Sequence, residues 1–155
     1  MLDNLPAFAI CGKSGPGKTT LIELMIPFLR EKGLQVAVAK HNSQGIDVDR
    51  PGKDSDRFFK AGADVLVQGS QQQLTRIHRT IANGLTNTLE SLSQGYDLML
   101  VEGHKSTPLP KVWLLGEQER ERPARIGNVL ATLGGARTGL TSSWSFWRNG
   151  WLANG

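Results

Sequence analysis

Ten residues near the N-terminus restrict the possible folds of this chain more than any other stretch: Cys11-Gly12-Lys13-Ser14-Gly15-Pro16-Gly17-Lys18-Thr19-Thr20. Three glycines and two lysines follow directly on the apolar run "PAFAIC", which has the length and composition of a buried strand. Immediately after them, Leu21, Leu24, Met25, Phe28 and Leu29 recur at helical spacing, and Gly33 stops the pattern. Pro27 inside that segment predicts a kink. A strand, a glycine loop and a helix in this order open an α/β fold.

The spacing Gly12-x-x-x-x-Gly17-Lys18-Thr19 is that of a P-loop. Its backbone N–H groups curl round a phosphate, and glycines let the backbone come close. Lys18 would reach the β- and γ-phosphates, and the Thr19 hydroxyl would ligate Mg²⁺. The helix begins near Lys18 and points its positive end at the phosphates. Lys13 has two readings. It is a solvated loop lysine, or it matches the early lysine of the "deviant" P-loop branch, which reaches a nucleotide across a dimer interface.

The rest of the chain alternates strands and helices. "LQVAVAK" reads as a strand, "SDRFFKAGA" as a short helix, "DVLVQGS" and "QQLTRIHR" as strands. "GLTNTLESLSQG" reads as a helix, and "YDLMLVEG" and "KVWLL" as strands. Such alternation predicts a mostly parallel central sheet covered by helices, a three-layer arrangement whose ligands bind beyond the C-terminal strand ends. The glycine loop, Lys40–His41 and Glu102–Lys105 all map to that edge. Glu102 is placed for the carboxylate that a P-loop enzyme needs near Mg²⁺ or the attacking water. Asp47 and Asp49 are two apart, on one side of an extended loop, where one can bind a hard cation or both can be solvated. Asp54 or Ser55 can cap the helix that follows. His41 can touch a phosphate or substrate, or be a structural histidine. No Asn-Lys-x-Asp base-reading signature is present, so spacing does not separate GTP from ATP.

The net charge of +4 raises the question of a nucleic-acid partner. Residues 1–110 hold 12 Lys+Arg against 11 Asp+Glu, and residues 111–155 hold 6 against 3. The excess sits at the C-terminal end and forms no basic stripe, so no nucleic-acid partner is expected. No apolar run approaches the roughly 20 residues of a membrane helix, and the N-terminus lacks the layout of a signal peptide. A cytoplasmic protein without a membrane partner is the expectation. The single Cys11 excludes an intrachain disulfide and reads as a core thiol. Residues 1–115 read as the nucleotide-binding domain. From Gly116 the composition changes to a charged run and then a Gly/Ser/Asn stretch carrying Trp144, Trp147 and Trp151, an atypical tail with "NVLATL" its only regular segment.

Three stretches, "GPGKTTLIELMIPFL", "VAVAKHNSQGIDVDRPGKDSDRFFKAGAD" and "LMLVEGHK", resemble the MobB family, the adapters of molybdopterin-guanine dinucleotide biosynthesis, over roughly residues 5–115. The resemblance implies a P-loop NTPase fold, GTP with Mg²⁺, and a typical homodimer. It also implies weak GTP hydrolysis beside the guanylyltransferase MobA, which attaches GMP to molybdopterin. Carried onto this chain, Gly12 to Thr20 would bind phosphates and Glu102 would be the carboxylate near Mg²⁺. His41 and the Asp47–Asp54 loop would form a switch-like segment. The C-terminal tail departs from the family, where a further strand ends near an Asp and a helix follows. An ATP-dependent small-molecule kinase, with "ERERPAR" as its lid, and a nucleotide-binding scaffold without turnover are the alternatives.

Overall fold

The computed structural model describes residues 5–13, 17–40, 48–78 and 84–134. In chain order the elements are β1 (Ala7–Gly12), α1 (Gly17–Glu31), β2 (Val36–Lys40), α2 (Asp54–Lys60) and β3 (Val65–Gln68). They continue with β4 (Gln73–Arg76), α3 (Gly84–Leu92), β5 (Leu98–Glu102), β6 (Lys111–Leu114) and β7 (Val129–Leu133). The chain divides into two units, residues 1–41 with 85–155, and residues 42–84.

The larger unit is a five-stranded sheet in the order β2-β5-β1-β6-β7. Every neighbouring pair is parallel. β1 is central and reads as a continuous apolar run because both of its faces are covered. Phe8 and Ile10 face one way, into a cluster with Leu21, Ile22, Met25 and Leu29 of α1. Ala7, Ala9 and Cys11 face the other way, with Leu89 of α3, Met99, Val101 and Trp113. The expected three-layer α/β fold is therefore the one adopted.

Local sequence explains the element ends. α1 stops in a Schellman turn: the Gly33 N–H donates to the Arg30 carbonyl at 2.9 Å and the Leu34 N–H to the Leu29 carbonyl at 3.2 Å. Gly33 takes the left-handed conformation this requires, with φ 83°. α1 runs as one helix through Pro27. The edge strand β7 pairs with β6 through a bulge, Lys111 lying opposite Val129 and Val112 opposite Ala131.

Two findings differ from the reading of the sequence. β3 and β4 do not join the parallel sheet; they form their own antiparallel pair in the smaller unit. The link between them is only Gly69–Gln72, closed by a Gly69 N–H bond to the Gln72 carbonyl at 2.8 Å. A parallel pairing would need a crossover of a dozen or more residues. The second difference is β7, which lies beyond residue 115, where composition placed the end of the nucleotide-binding domain. "NVLATL" supplies it, and Leu133 enters the core under α1. The expected tail segments beyond Gly134 lie outside the described residues.

Candidate functional site

Parallel pairing brings the chemistry-bearing strand ends into rows. Ile10, Glu102 and Lys40 are register partners across β1, β5 and β2. Gly12, Leu114 and Leu133 form the equivalent row across β1, β6 and β7. The C-terminal edge of the sheet thus holds the start of the glycine loop with Glu102 one strand away.

Gly12 ends β1, and a Cβ there would lie 2.5 Å from the Leu114 carbonyl oxygen. This glycine serves the close approach of β1 to β6, a role separate from phosphate access. Ser14, Gly15 and Pro16, and likewise His41 and Asp47, lie outside the described residues. Gly17 opens α1, whose first turn carries no acidic residue. The first turn is therefore compatible with an anion at its positive end. Thr19 is exposed there and Thr20 is half-buried. The Lys18 ammonium turns back and donates to the Lys13 carbonyl. That acceptor is a neutral oxygen, and a phosphate oxygen is a stronger one. The residues present fit a bound nucleotide.

Lys13 is exposed, as a solvated loop lysine would be, and it has an ion-pair partner. Its Nζ lies 3.1 Å from Glu119 Oε1 in the connection after β6. Glu119 is itself held in a tight turn. Its Oε2 accepts the Gly116 N–H at 2.8 Å, and its own N–H donates to the Gly116 carbonyl at 3.0 Å. The Gly116 N–H, followed by Lys13, holds the Glu119 carboxyl below the usual carboxylate range.

Glu102 sits at the end of β5 with its side chain largely buried, and Lys40 Nζ approaches it at 3.4 Å. The backbone turns sharply after it, with φ 88° at Gly103 and 55° at His104. Two buried groups pin this loop. The Cys11 thiol donates to the Gly103 carbonyl at 2.9 Å. The Lys111 ammonium donates to the carbonyls of Thr107 and, at 2.7 Å, Leu109. Lys111 is 2% exposed, and burial pushes its pKa down. Burial also raises the Cys11 pKa, against the opposing charge of Lys111.

The smaller unit has its own polar centre. Arg76 Nη1 donates to Asp49 Oδ2 at 2.9 Å and to Asp56 Oδ1 at 3.3 Å. Its guanidinium lies 4.0 Å above the Phe59 ring, and His78 stacks on that ring at 3.8 Å. Asp49 also accepts from the Ser55 hydroxyl at 3.1 Å and the Arg50 N–H at 2.9 Å. Asp56 accepts from the Gly52 N–H at 2.8 Å and from Lys60 at 2.7 Å, and these bonds lower its pKa to about 2. Asp49 is thus engaged within its own unit, a use its position in the sequence did not indicate. Lys53 occupies the cap position of α2 with no side-chain capping bond, so neither Asp54 nor Ser55 caps that helix.

Sequence reasoning missed Glu119, Lys111 and Arg76. A lysine at the start of an apolar strand, as in "PKVWLL", is the only one of these three that left a signal.

The sequence model for "MobB: Molybdopterin guanine dinucleotide synthesis protein B" matches residues 7–133. The chain belongs to the MobB family. It is 36% identical over 131 residues to the molybdopterin-guanine dinucleotide biosynthesis adapter protein of Haemophilus influenzae, covering 79% of this chain and 70% of that one. The Escherichia coli adapter is 34% identical over 128 residues, covering 79% and 72%. Among solved structures, molybdopterin-guanine biosynthesis protein B is similar with a TM-score of 0.70 at 30% identity, over 84% of both chains. Bacillus subtilis MobB is similar with a TM-score of 0.65 at 27% identity, over 86% of this chain and 81% of that one. The match ends with β7, so β7 belongs to the part of the chain that the family shares. Membership in this family, with its P-loop fold, implies nucleotide binding. Among the described residues no helix is long and apolar enough to cross a membrane.

Proposed function

We propose that this MobB family member is a GTP-binding adapter in molybdenum cofactor maturation. It assists a MobA-type guanylyltransferase in attaching GMP to molybdopterin. The observation that supports the reading is Gly12 at the end of the central strand, with Lys18 bonded back to the Lys13 carbonyl and Glu102 one strand away. The adapter names of the relatives supply the pathway.

In this reading the loop N–H groups and Lys18 hold the β- and γ-phosphates. Thr19 and Glu102 hold Mg²⁺, with Asp47 a further candidate ligand, and the ion supplies charge neutralisation at the phosphates. Mg²⁺ takes one or two carboxylates together with phosphate and water, so no dense acidic cage is needed. Glu102 would release Lys40 or share it when the ion binds. Weak GTP hydrolysis is part of this reading. His41 and Asp49 are the remaining proposed contacts in the switch-like segment, and Asp49 would have to leave Arg76 to make one.

The charged run proposed as a kinase lid folds on itself instead. Glu119 is tied to Gly116, and Arg122 donates to the Ile126 carbonyl at 2.7 Å. It forms the connection into β7, which favours the adapter over the small-molecule kinase.

The test is binding of GTP and of ATP with Mg²⁺ to the wild type and to Lys18→Ala. GTP should bind the wild type more tightly than ATP, and Lys18→Ala should lose at least tenfold in affinity. Absence of binding to either nucleotide by the wild type sinks the proposal. Restored molybdoenzyme activity in a strain lacking the adapter, dependent on Lys18, separates the adapter from an inert scaffold.

A further inference from the structure

The Lys13–Glu119 pair joins the glycine loop to the connection between β6 and β7. Three features set it apart from a surface ion pair. Glu119 is the buried partner, its side chain 8% exposed against 66% for Lys13. Both of its oxygens are used, one by Lys13 and one by the Gly116 N–H, so its direction is fixed before Lys13 arrives. Its anchor also sits at the site: Gly116 follows Leu114, the register partner of Gly12, by two residues. The lysine is the exposed member, and the carboxylate is the buried one with a second bond.

We propose that Glu119 is a positioning residue for the nucleotide site, a latch that holds Lys13 away from the phosphates and must be left when Lys13 serves an anion. The proposal rests on the reading of Gly12–Thr20 as a phosphate-binding loop. Lys13 has one ammonium and two claimants. While Glu119 holds it, its charge is spent on a carboxylate in the turn after β6. A bound polyphosphate offers more negative charge and several acceptor oxygens, so it competes for the same ammonium.

The latch makes a prediction whose sign differs from that of simple repulsion between Glu119 and phosphate. The probes are fluorescent N-methylanthraniloyl GTP and GDP with Mg²⁺, titrated into the full chain. The variants are Glu119→Gln, Lys13→Met and the double variant. Glutamine keeps an acceptor for the Gly116 N–H, so the turn is retained. If Glu119 restrains Lys13, Glu119→Gln frees a cation for the phosphates. GTP affinity then rises about three- to fivefold, the range of a partly exposed ion pair, and GDP affinity rises less. In the Lys13→Met background the same change has little effect, because no lysine remains to release. Simple repulsion gives the opposite order: Glu119 is unpaired in that background, so its removal helps more there. The larger gain in the Lys13 background supports the latch. Equal gains, a larger gain in the Lys13→Met background, or no gain from Glu119→Gln overturn it. Failure of the wild type to bind either probe overturns the phosphate-loop reading as well, whereas normal wild-type binding with an additive cycle overturns the latch alone.

Discussion

Gly12 shows how one residue type answers two demands at a single position. The P-loop pattern asks for glycine there because backbone must approach phosphate. The sheet asks for it because a Cβ would meet the Leu114 carbonyl oxygen at 2.5 Å. Gly12→Ala should therefore lower the unfolding free energy of the larger unit by about 1–3 kcal/mol, a typical overpacking penalty. Urea denaturation followed by far-ultraviolet circular dichroism measures it, and an unchanged midpoint would contradict the close approach. Asp56 is the second residue with a sharp consequence. Its folded-state pKa of about 2 lies below the ordinary 3.8. A depressed carboxyl pKa contributes stability that is complete above the unfolded pKa and lost as pH falls through the folded one. The smaller unit should hold to about pH 4 and loosen progressively toward pH 2. Amide exchange of β3 and β4 follows this, and Asp56→Asn should flatten the acid dependence.

At the scale of elements, β7 is the informative case. Val112 lies opposite Ala131 and Leu114 opposite Leu133, so β7 completes the sheet beside β6. Removing residues 116–155 takes away β7 and Glu119 together. Removing residues 135–155 leaves both. The shorter truncation should keep GTP binding within about twofold of the full chain and the longer one should abolish it. Titration of both with the same fluorescent nucleotide decides whether the functional unit ends after β7. The strands of the larger sheet were legible because parallel strands buried on both faces are written as plain apolar runs, as in "LMLV". β7 was harder to read: its residues alternate half-buried and exposed along an edge, and its neighbouring sequence is charged. The site divides in the same way. Gly12 and Lys18 were readable from a local spacing, and Glu102 as the polar end of a plain apolar strand. Glu119 was not, because it meets Lys13 from 106 positions away through the pairing of β1 with β6. Arg76 meets Asp49 across 27 positions in the same manner.

At the scale of the molecule, the two units are stabilised by different physics. The larger rests on two apolar clusters, one on each side of its sheet. The smaller rests on one guanidinium shared by two carboxylates, with a two-stranded sheet that would be marginal alone. Leu66 and Ile77 of this unit are about 60% exposed, and among the described residues β3 and β4 pair only with each other. Exposed apolar residues on open strand edges are what a second copy of the chain would cover, and we propose that the homodimer implied by the family resemblance covers them. Sedimentation equilibrium should give a dimer mass, and Leu66→Glu should shift it toward the monomer.

Cys11 brings a practical consequence. It is the only cysteine, it is fully buried, and its thiol is committed to the Gly103 carbonyl. Burial also disfavours the thiolate that alkylating reagents attack. Its slow modification therefore times the rare separation of β1 from the turn after Glu102, at the very edge where nucleotide is proposed to sit. The chain carries a built-in reporter of local opening, and a cysteine introduced anywhere on the surface will outrun it for selective attachment of a probe.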